Sequence, residues 1–366
     1  MIVFYANWAA FNLDVYLVLE ASPLEVMMSN PGQHCDGPGC DNPAERPCAK
    51  CADTPPIPNS SYQVPHYCCD ACGHKHKAAH RAHCELLQQR KKLFRIGGLL
   101  QEIVYRLRER LFSHPISSVE VRDGRIVVYE PTFQEDAARK SEVAMDLPGG
   151  LALEEKRTLL AWNYCGPSVA WMYDTMVYLT ARLRVGVEEH CFEHQSSALV
   201  SVYGAELDTK QPSHVVTKIT IAQSQEEYAL DLTGAQYGYR EPVMPWSAYI
   251  TSKIAKFVSR SPPGEVRVGF LRLMHFCKHP VLTINYELSS CILPSVIRWE
   301  LERGLAIGEM LLLPQDKYER RQLELVDFVD EGLRVKMLAI GDQVISQETV
   351  EFAKALNSLG SPVKDD

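Results

Sequence analysis

The 366-residue chain lacks any apolar run of the roughly 18 to 20 uncharged residues that would cross a bilayer. The nearest stretch, MIVFYANWAAFNLDVYLVLEAS, is interrupted by Asn7, Asn12 and Asp14. It also has neither the basic leader nor the small-residue cleavage site of a secretory signal. Residues 1–30 are expected to form an extra strand or a frayed terminus. The protein is expected to be intracellular, in nucleus or cytoplasm, with no membrane partner.

Positive charge is in short supply as well. Lys and Arg number 38 against 46 Asp and Glu, a net charge of −8, which argues against a chain built to grip a phosphate backbone. No phosphate-cradling glycine loop or dinucleotide fingerprint is present, because Gly234 and Gly238 fall at a strand end rather than before a helix. Internal repeats are absent too. What remains is a globular composition, 46% hydrophobic, long enough for two or three domains.

Cysteine is abundant and unevenly placed. Of the 12, only Cys165, Cys191, Cys277 and Cys291 lie outside the segment from Cys35 to Cys84. A disulfide scaffold calls for an oxidising compartment and a shorter chain, so metal ligation is the better explanation. The ligands come in close pairs: Cys35 with Cys40, Cys48 with Cys51, Cys68 with Cys72, and His80 with Cys84. A structural zinc takes four N or S ligands in a tetrahedron, so four pairs imply two ions. Gly37, Pro38 and Gly39 supply turn chemistry inside the first pair. His80 and Cys84, four apart, share one face if that segment is helical.

This order and spacing resemble the MYND zinc fingers, over residues 35–84. The resemblance implies interleaved binding, the first zinc on Cys35, Cys40, Cys68 and Cys72, the second on Cys48, Cys51, His80 and Cys84. It also implies a protein partner docked through the finger. Family members that grip short proline-containing peptides use a glutamine just after the sixth ligand and a tryptophan before the histidine. Here those positions hold Gly73 and Lys77, so that grip is not carried over, although Tyr67 matches. The segment ADTPPIPNSSYQVPHY is longer than usual and is expected to bulge into solvent. Cys69, His34, His66, His74, His76 and His83 are surplus to the two sites, as solvated or neighbouring groups.

Past Cys84, Leu93, Ile96, Leu100, Ile103, Leu107 and Leu111 follow a three-to-four spacing, the mark of an amphipathic helix. Gly97-Gly98 is expected to bend or break it. Its local excess of Lys and Arg reads either as an acidic-partner or nucleic-acid face or as a solvated connector, the latter preferred. VEVRDGRIVVYE reads as a hairpin around Asp123-Gly124, and QEDAARKSEVAMDLPGG as a linker.

In WNYCGPSVAW, Cys165 precedes Gly166-Pro167 and an apolar helical run, which sets it near a helix N-terminus. There the macrodipole and free amides favour a thiolate. Downstream, SHVVTKITIAQ and EEYALDLTGAQYGY read as two strands joined by a short turn, with His214 opening the first and Asp231 closing the second. Residues 155–250 thereby resemble the papain-like and transglutaminase-like superfamily. The resemblance implies Cys165 as nucleophile, His214 as general base and Asp231 as the group that orients the imidazole. Each residue also has an ordinary reading: a packing cysteine, a satisfied strand-end histidine, and an aspartate capping the turn at Gly234.

Trp246 and Tyr249 read as core anchors of a helix starting near Pro245, and the last hundred residues as alternating helices and strands ending in a helix and charged tail. The fold expected is α+β: a finger over 31–84, a helical connector with hairpin over 85–150, and a mixed domain over 151–366. The leading expectation is a zinc-binding adaptor that docks a protein. The alternative is a cysteine-dependent hydrolase or acyltransferase.

Overall fold

The structure, a computed structural model, describes residues 34–57, 60, 62–112, 114, 116–130, 149–203, 213–277 and 280–344. The expectations for residues 1–30, for most of the linker and for the final helix and tail lie outside these. Within them the fold is mixed α+β.

Chain order gives the architecture. A two-residue ladder, β1 (Arg46–Pro47) with β2 (His66–Tyr67), closes the finger. Helix α1 (Asp70–Arg110) follows, then the antiparallel hairpin of β3 (Ser118–Arg122) and β4 (Arg125–Tyr129). Helices α2 (Leu153–Ala161) and α3 (Cys165–Thr180) lead into β5 (Val185–His194) and β6 (Val200–Val202). Then come β7 (Ser213–Ile221), β8 (Glu227–Leu230), β9 (Val243–Pro245), α4 (Trp246–Lys253) and β10 (Ile254–Ser261). The five-stranded sheet runs β10-β5-β7-β8-β9, antiparallel throughout. β6 joins the hairpin in parallel to β4.

The expectation of alternating helices and strands near the end is corrected. After β10 every described element is helical: α5 (Glu265–Cys277), α6 (Pro280–Ser289), α7 (Ile292–Arg303), α8 (Ile307–Met310) and α9 (Gln315–Val344). RRQLELVDFV and EGLRVKMLAIG lie in the single helix α9, where Tyr318, Leu325, Val329, Leu333 and Ile340 bury one face at near-helical spacing. Short apolar runs do not by themselves tell strand from buried helix.

Helix α1 does not break at Gly97-Gly98 and runs unbroken for 41 residues. Gly97 serves packing instead: a Cβ there would fall 2.3 Å from Val243 Cγ2, so its bare backbone lets the sheet edge approach the helix. The apolar stripe from Leu93 to Leu111 joins α3, the inner face of β7 and β8, and α7 to α9 in one core. The opposite face of the sheet carries a second cluster of Phe192, Val216, Ala229, Trp246 and Tyr249. Both faces of the sheet are thus covered, and Trp246 and Tyr249 are buried as expected.

Four of the basic residues of α1 do not lie on a solvated face, whereas Lys75, Lys77 and Arg81 in its first turns are exposed. Arg90, Lys91, Arg95 and Arg108 are buried. Lys91 Nζ donates to Ala52 O at 2.7 Å, and Arg90 donates to Ser60 Oγ at 2.7 Å and to Glu226. Arg95 donates to the carbonyls of Leu311 and Leu313. These long side chains tie the helix to backbone carbonyls on three sides, which removes them from any phosphate-binding surface. The proline-rich segment is held by the same contacts. Among its described residues, Tyr62 and Val64 pack against Cys51, Cys84 and Leu87, while Asp53, Pro56 and Gln63 are exposed.

Candidate functional site

The two metal-ligand sets come together as spaced. Cys35, Cys40, Cys68 and Cys72 form one group, and Cys48, Cys51, His80 and Cys84 the other, with the donor atoms of each within 4.8 Å of one another. Cys68 Sγ lies 3.6 Å from both Cys40 Sγ and Cys72 Sγ. A tetrahedral zinc with bonds of ~2.3 Å to sulfur places its sulfurs ~3.8 Å apart, so this spacing fits such an ion. Cys51 Sγ and His80 Nε2 are 3.4 Å apart, close to the ~3.6 Å that a mixed S and N set requires.

Local structure explains the fit. Gly37 N–H donates to Cys35 Sγ at 3.3 Å, and a Cβ on Gly37 would lie 2.6 Å from Cys72 Cβ, so the first turn can close only around glycine. Cys68 and Cys72 bracket the start of α1, and His80 and Cys84 lie one turn apart further along it. Of the surplus residues, Cys69 Sγ is 3.7 Å from Cys68 Sγ, and the rings of His76 and His83 flank His80 at 5.7 and 5.6 Å. His66 Nδ1 is 3.0 Å from Val64 O, and His34 Nδ1 is 3.2 Å from Asp41 O. None of the surplus residues belongs to either group.

The second cluster sits where α3 begins. Asn163, with φ of 53°, reverses the chain ahead of Cys165, and Ser168 N donates to Tyr164 O at 2.8 Å to start the helix. Pro167, in the first turn, needs no hydrogen-bond acceptor. Cys165 Sγ lies 3.7 Å from Ser213 O, the residue just before His214. His214 is sealed from solvent on β7, and its Nε2 is 2.8 Å from Asp231 Oδ2. Its other ring nitrogen, Nδ1, is buried and has no ordinary hydrogen-bond partner. Cys165 itself is half-buried as a residue.

Asp231 is held from every side. The Tyr249 hydroxyl donates to Oδ2 at 2.8 Å, and the Tyr239 hydroxyl donates to the same oxygen. Oδ1 accepts Thr233 N–H at 3.0 Å, so Asp231 also caps the turn into Gly234. That glycine matters: a Cβ on it would lie 2.2 Å from the Tyr239 ring, which could then not reach the carboxylate. The two tyrosine donors were not legible as site residues, although the GAQYGY run contains one of them.

No family model, curated protein or solved structure matches the chain.

Electrostatics link the three groups. Burial would raise the Asp231 pKa, but the charge and hydrogen bond of His214 and both tyrosine hydroxyls drive it well below the usual carboxylate range. Burial would lower the His214 pKa, yet Asp231 foremost, and Cys165 after it, push it up to about 10. For Cys165, burial works against the thiolate, but the influence of the neighbouring His214 prevails and brings the pKa below its ordinary value. The arrangement favours an imidazolium between two anions.

Proposed function

We propose that the chain is a cysteine-dependent acyltransferase or amide hydrolase, carried beside a finger that binds two structural zinc ions in the MYND manner. One observation supports the catalytic part above all: Cys165 opens a helix with its sulfur 3.7 Å from Ser213 O, beside the buried His214 that Asp231 anchors through Nε2. A packing cysteine needs no charged neighbour.

The chemistry follows from these positions. The Cys165 thiolate attacks a carbonyl carbon, forming a C–S bond as the C=O pair moves onto oxygen. Collapse of that oxyanion expels an amine or alkoxide, which takes its proton from His214 Nδ1, since Nε2 is engaged by Asp231. In the second half His214 Nδ1 accepts a proton from water or from an acceptor alcohol or amine, which attacks the thioester and releases the thiolate. Asp231 keeps its charge throughout and holds the ring orientation.

Zinc on Cys35, Cys40, Cys68 and Cys72, and on Cys48, Cys51, His80 and Cys84, has all four positions filled by protein. It supplies folding energy rather than a Lewis acid, on the order of 10 to 16 kcal/mol per ion in finger peptides. Docking of a protein partner is the second reading for this part. It is favoured by the outward side of the first turns of α1, where Lys75, Lys77, Ala78 and Arg81 are exposed.

The decisive test is turnover of p-nitrophenyl acetate by purified zinc-loaded protein. Acetyl-thioester formation at Cys165, seen by intact-mass spectrometry and abolished in Cys165→Ser, is the expected result. Absence of any adduct on the wild-type chain overturns the enzymatic reading.

A further inference from the structure

An acyl-transfer site of this kind must also stabilise the oxyanion that forms when the thiolate attacks. The first N–H groups of α3 lack intrahelical partners and offer one donor beside Cys165. A second donor has to come from another element, hold a fixed orientation, remain protonated and be free of other bonds.

Tyr237 meets each requirement. Its ring lies parallel to His194 with centroids 3.7 Å apart and planes within 8°. It meets the His214 ring edge-on at 5.0 Å. His194 is itself fixed, with Nδ1 accepting Ser196 N–H at 3.0 Å. Two short aromatic contacts thus hold the Tyr237 ring against the catalytic imidazole. Its neighbours Tyr239 and Tyr249 both spend their hydroxyls on Asp231, while among the described residues no hydrogen bond occupies the Tyr237 hydroxyl. The side chain is half-buried. Burial first, then the charges of Cys165 and Asp231, push its ionisation far upward, so the group stays a donor.

Resting on the Cys165 reading above, we propose that Tyr237 is a further catalytic residue, whose hydroxyl donates a hydrogen bond to the carbonyl oxygen of an acyl substrate as that oxygen becomes an oxyanion. The O–H bond is not broken, and the tyrosine returns unchanged when the C=O bond reforms. His194 is a positioning residue that sets the ring plane.

The experiment compares Tyr237→Phe with the wild-type protein in two assays. The phenyl ring keeps both aromatic contacts, so the fold and the imidazole orientation are retained. With p-nitrophenyl acetate, kcat/KM is expected to fall by about 10²-fold, the usual cost of one oxyanion donor. Alkylation of Cys165 by iodoacetamide involves no oxyanion, and its rate and pH profile are expected to stay unchanged. Wild-type turnover in Tyr237→Phe overturns the proposal. So does an equal loss in both assays, which would make Tyr237 a support for the thiolate. A wild-type protein inert in both assays overturns the nucleophile reading, and this one with it.

Discussion

His214 Nε2 and Asp231 Oδ2 stand 2.8 Å apart with both side chains out of water, 17 residues apart in sequence and brought together by the β7–β8 turn. An ion pair at that depth survives because the carboxylate has four further donors or donor contacts around it, from Tyr239, Tyr249 and the Thr233 backbone and hydroxyl.

The pair predicts a pH profile of stability. His214, raised from 6.5 to about 10 in the fold, contributes fully below pH 6.5 and loses that contribution as pH climbs toward 10. Asp231, depressed from 3.8, contributes fully above that pH and loses it as pH falls through its lower folded value. Asp231→Asn should therefore flatten the fall in Tm between pH 7 and pH 10. An unchanged alkaline limb in that variant would contradict the assignment. His194, lowered by burial to about 4, acts on the acid side: its contribution is present above 6.5 and lost as pH falls toward 4.

Thiol reactivity should separate Cys165 from the other three scattered cysteines. Burial raises the pKa of both Cys191 and Cys291, whereas that of Cys165 is lowered overall. At pH 6, iodoacetamide should mark Cys165 faster than Cys191, Cys277 or Cys291, as read by peptide mass spectrometry. In Asp231→Asn the selectivity should shrink.

Metal content should be two zinc ions per chain by elemental analysis. Cys40→Ser and His80→Ala should each weaken one site and lower the retained count toward one, while Cys69→Ser should leave two. Chelation should raise amide exchange over residues 34–84, because the small cluster of Cys51, Cys84 and Leu87 cannot order the segment alone. Full zinc retention in Cys40→Ser would sink the interleaved assignment.

The paired glycines of α1 should respond in opposite directions to alanine. Gly98→Ala meets only Gln322 Nε2 at 3.7 Å, so the helix-propensity gain of up to about 1 kcal/mol should appear as a higher denaturation midpoint. Gly97→Ala drives a methyl into Val243, and overpacking should cost about 1 to 3 kcal/mol. Equal effects at the two positions would show that the sheet edge does not press on α1.

Arg90 joins the proline-rich segment, α1 and the β7–β8 turn through Ser60, Tyr62 O and Glu226. Arg90→Ala should lower stability by about 3 kcal/mol, as expected when one member of a buried pair is removed. Urea denaturation measures it. A loss confined to a few tenths would mean that the three segments do not depend on this contact.

The sequence alone determined those features whose geometry is set within one turn or one strand. Ligand pairs three to five residues apart can meet only locally, so the spacing of Cys35 through Cys84 was enough for four pairs and two ions, while the resemblance to MYND fingers implied how the pairs interleave into the two groups now seen. The stripe of α1, the Asp123-Gly124 hairpin, the strand bearing His214 and the start of the next strand were legible because side-chain periodicity is local too, although that strand ends at Leu230, just before Asp231, and the rest of EEYALDLTGAQYGY turns. Tertiary structure decided what those elements face. Whether Lys91 and Arg95 meet water or distant carbonyls, whether Gly97-Gly98 kinks a helix or admits a neighbour, and whether EGLRVKMLAIG is strand or helix depend on partners far away in the chain. The same holds for the tyrosine hydroxyls on Asp231 and for the stack of Tyr237 on His194. Burial and long-range packing set these, and neither is a property of a residue's immediate neighbours.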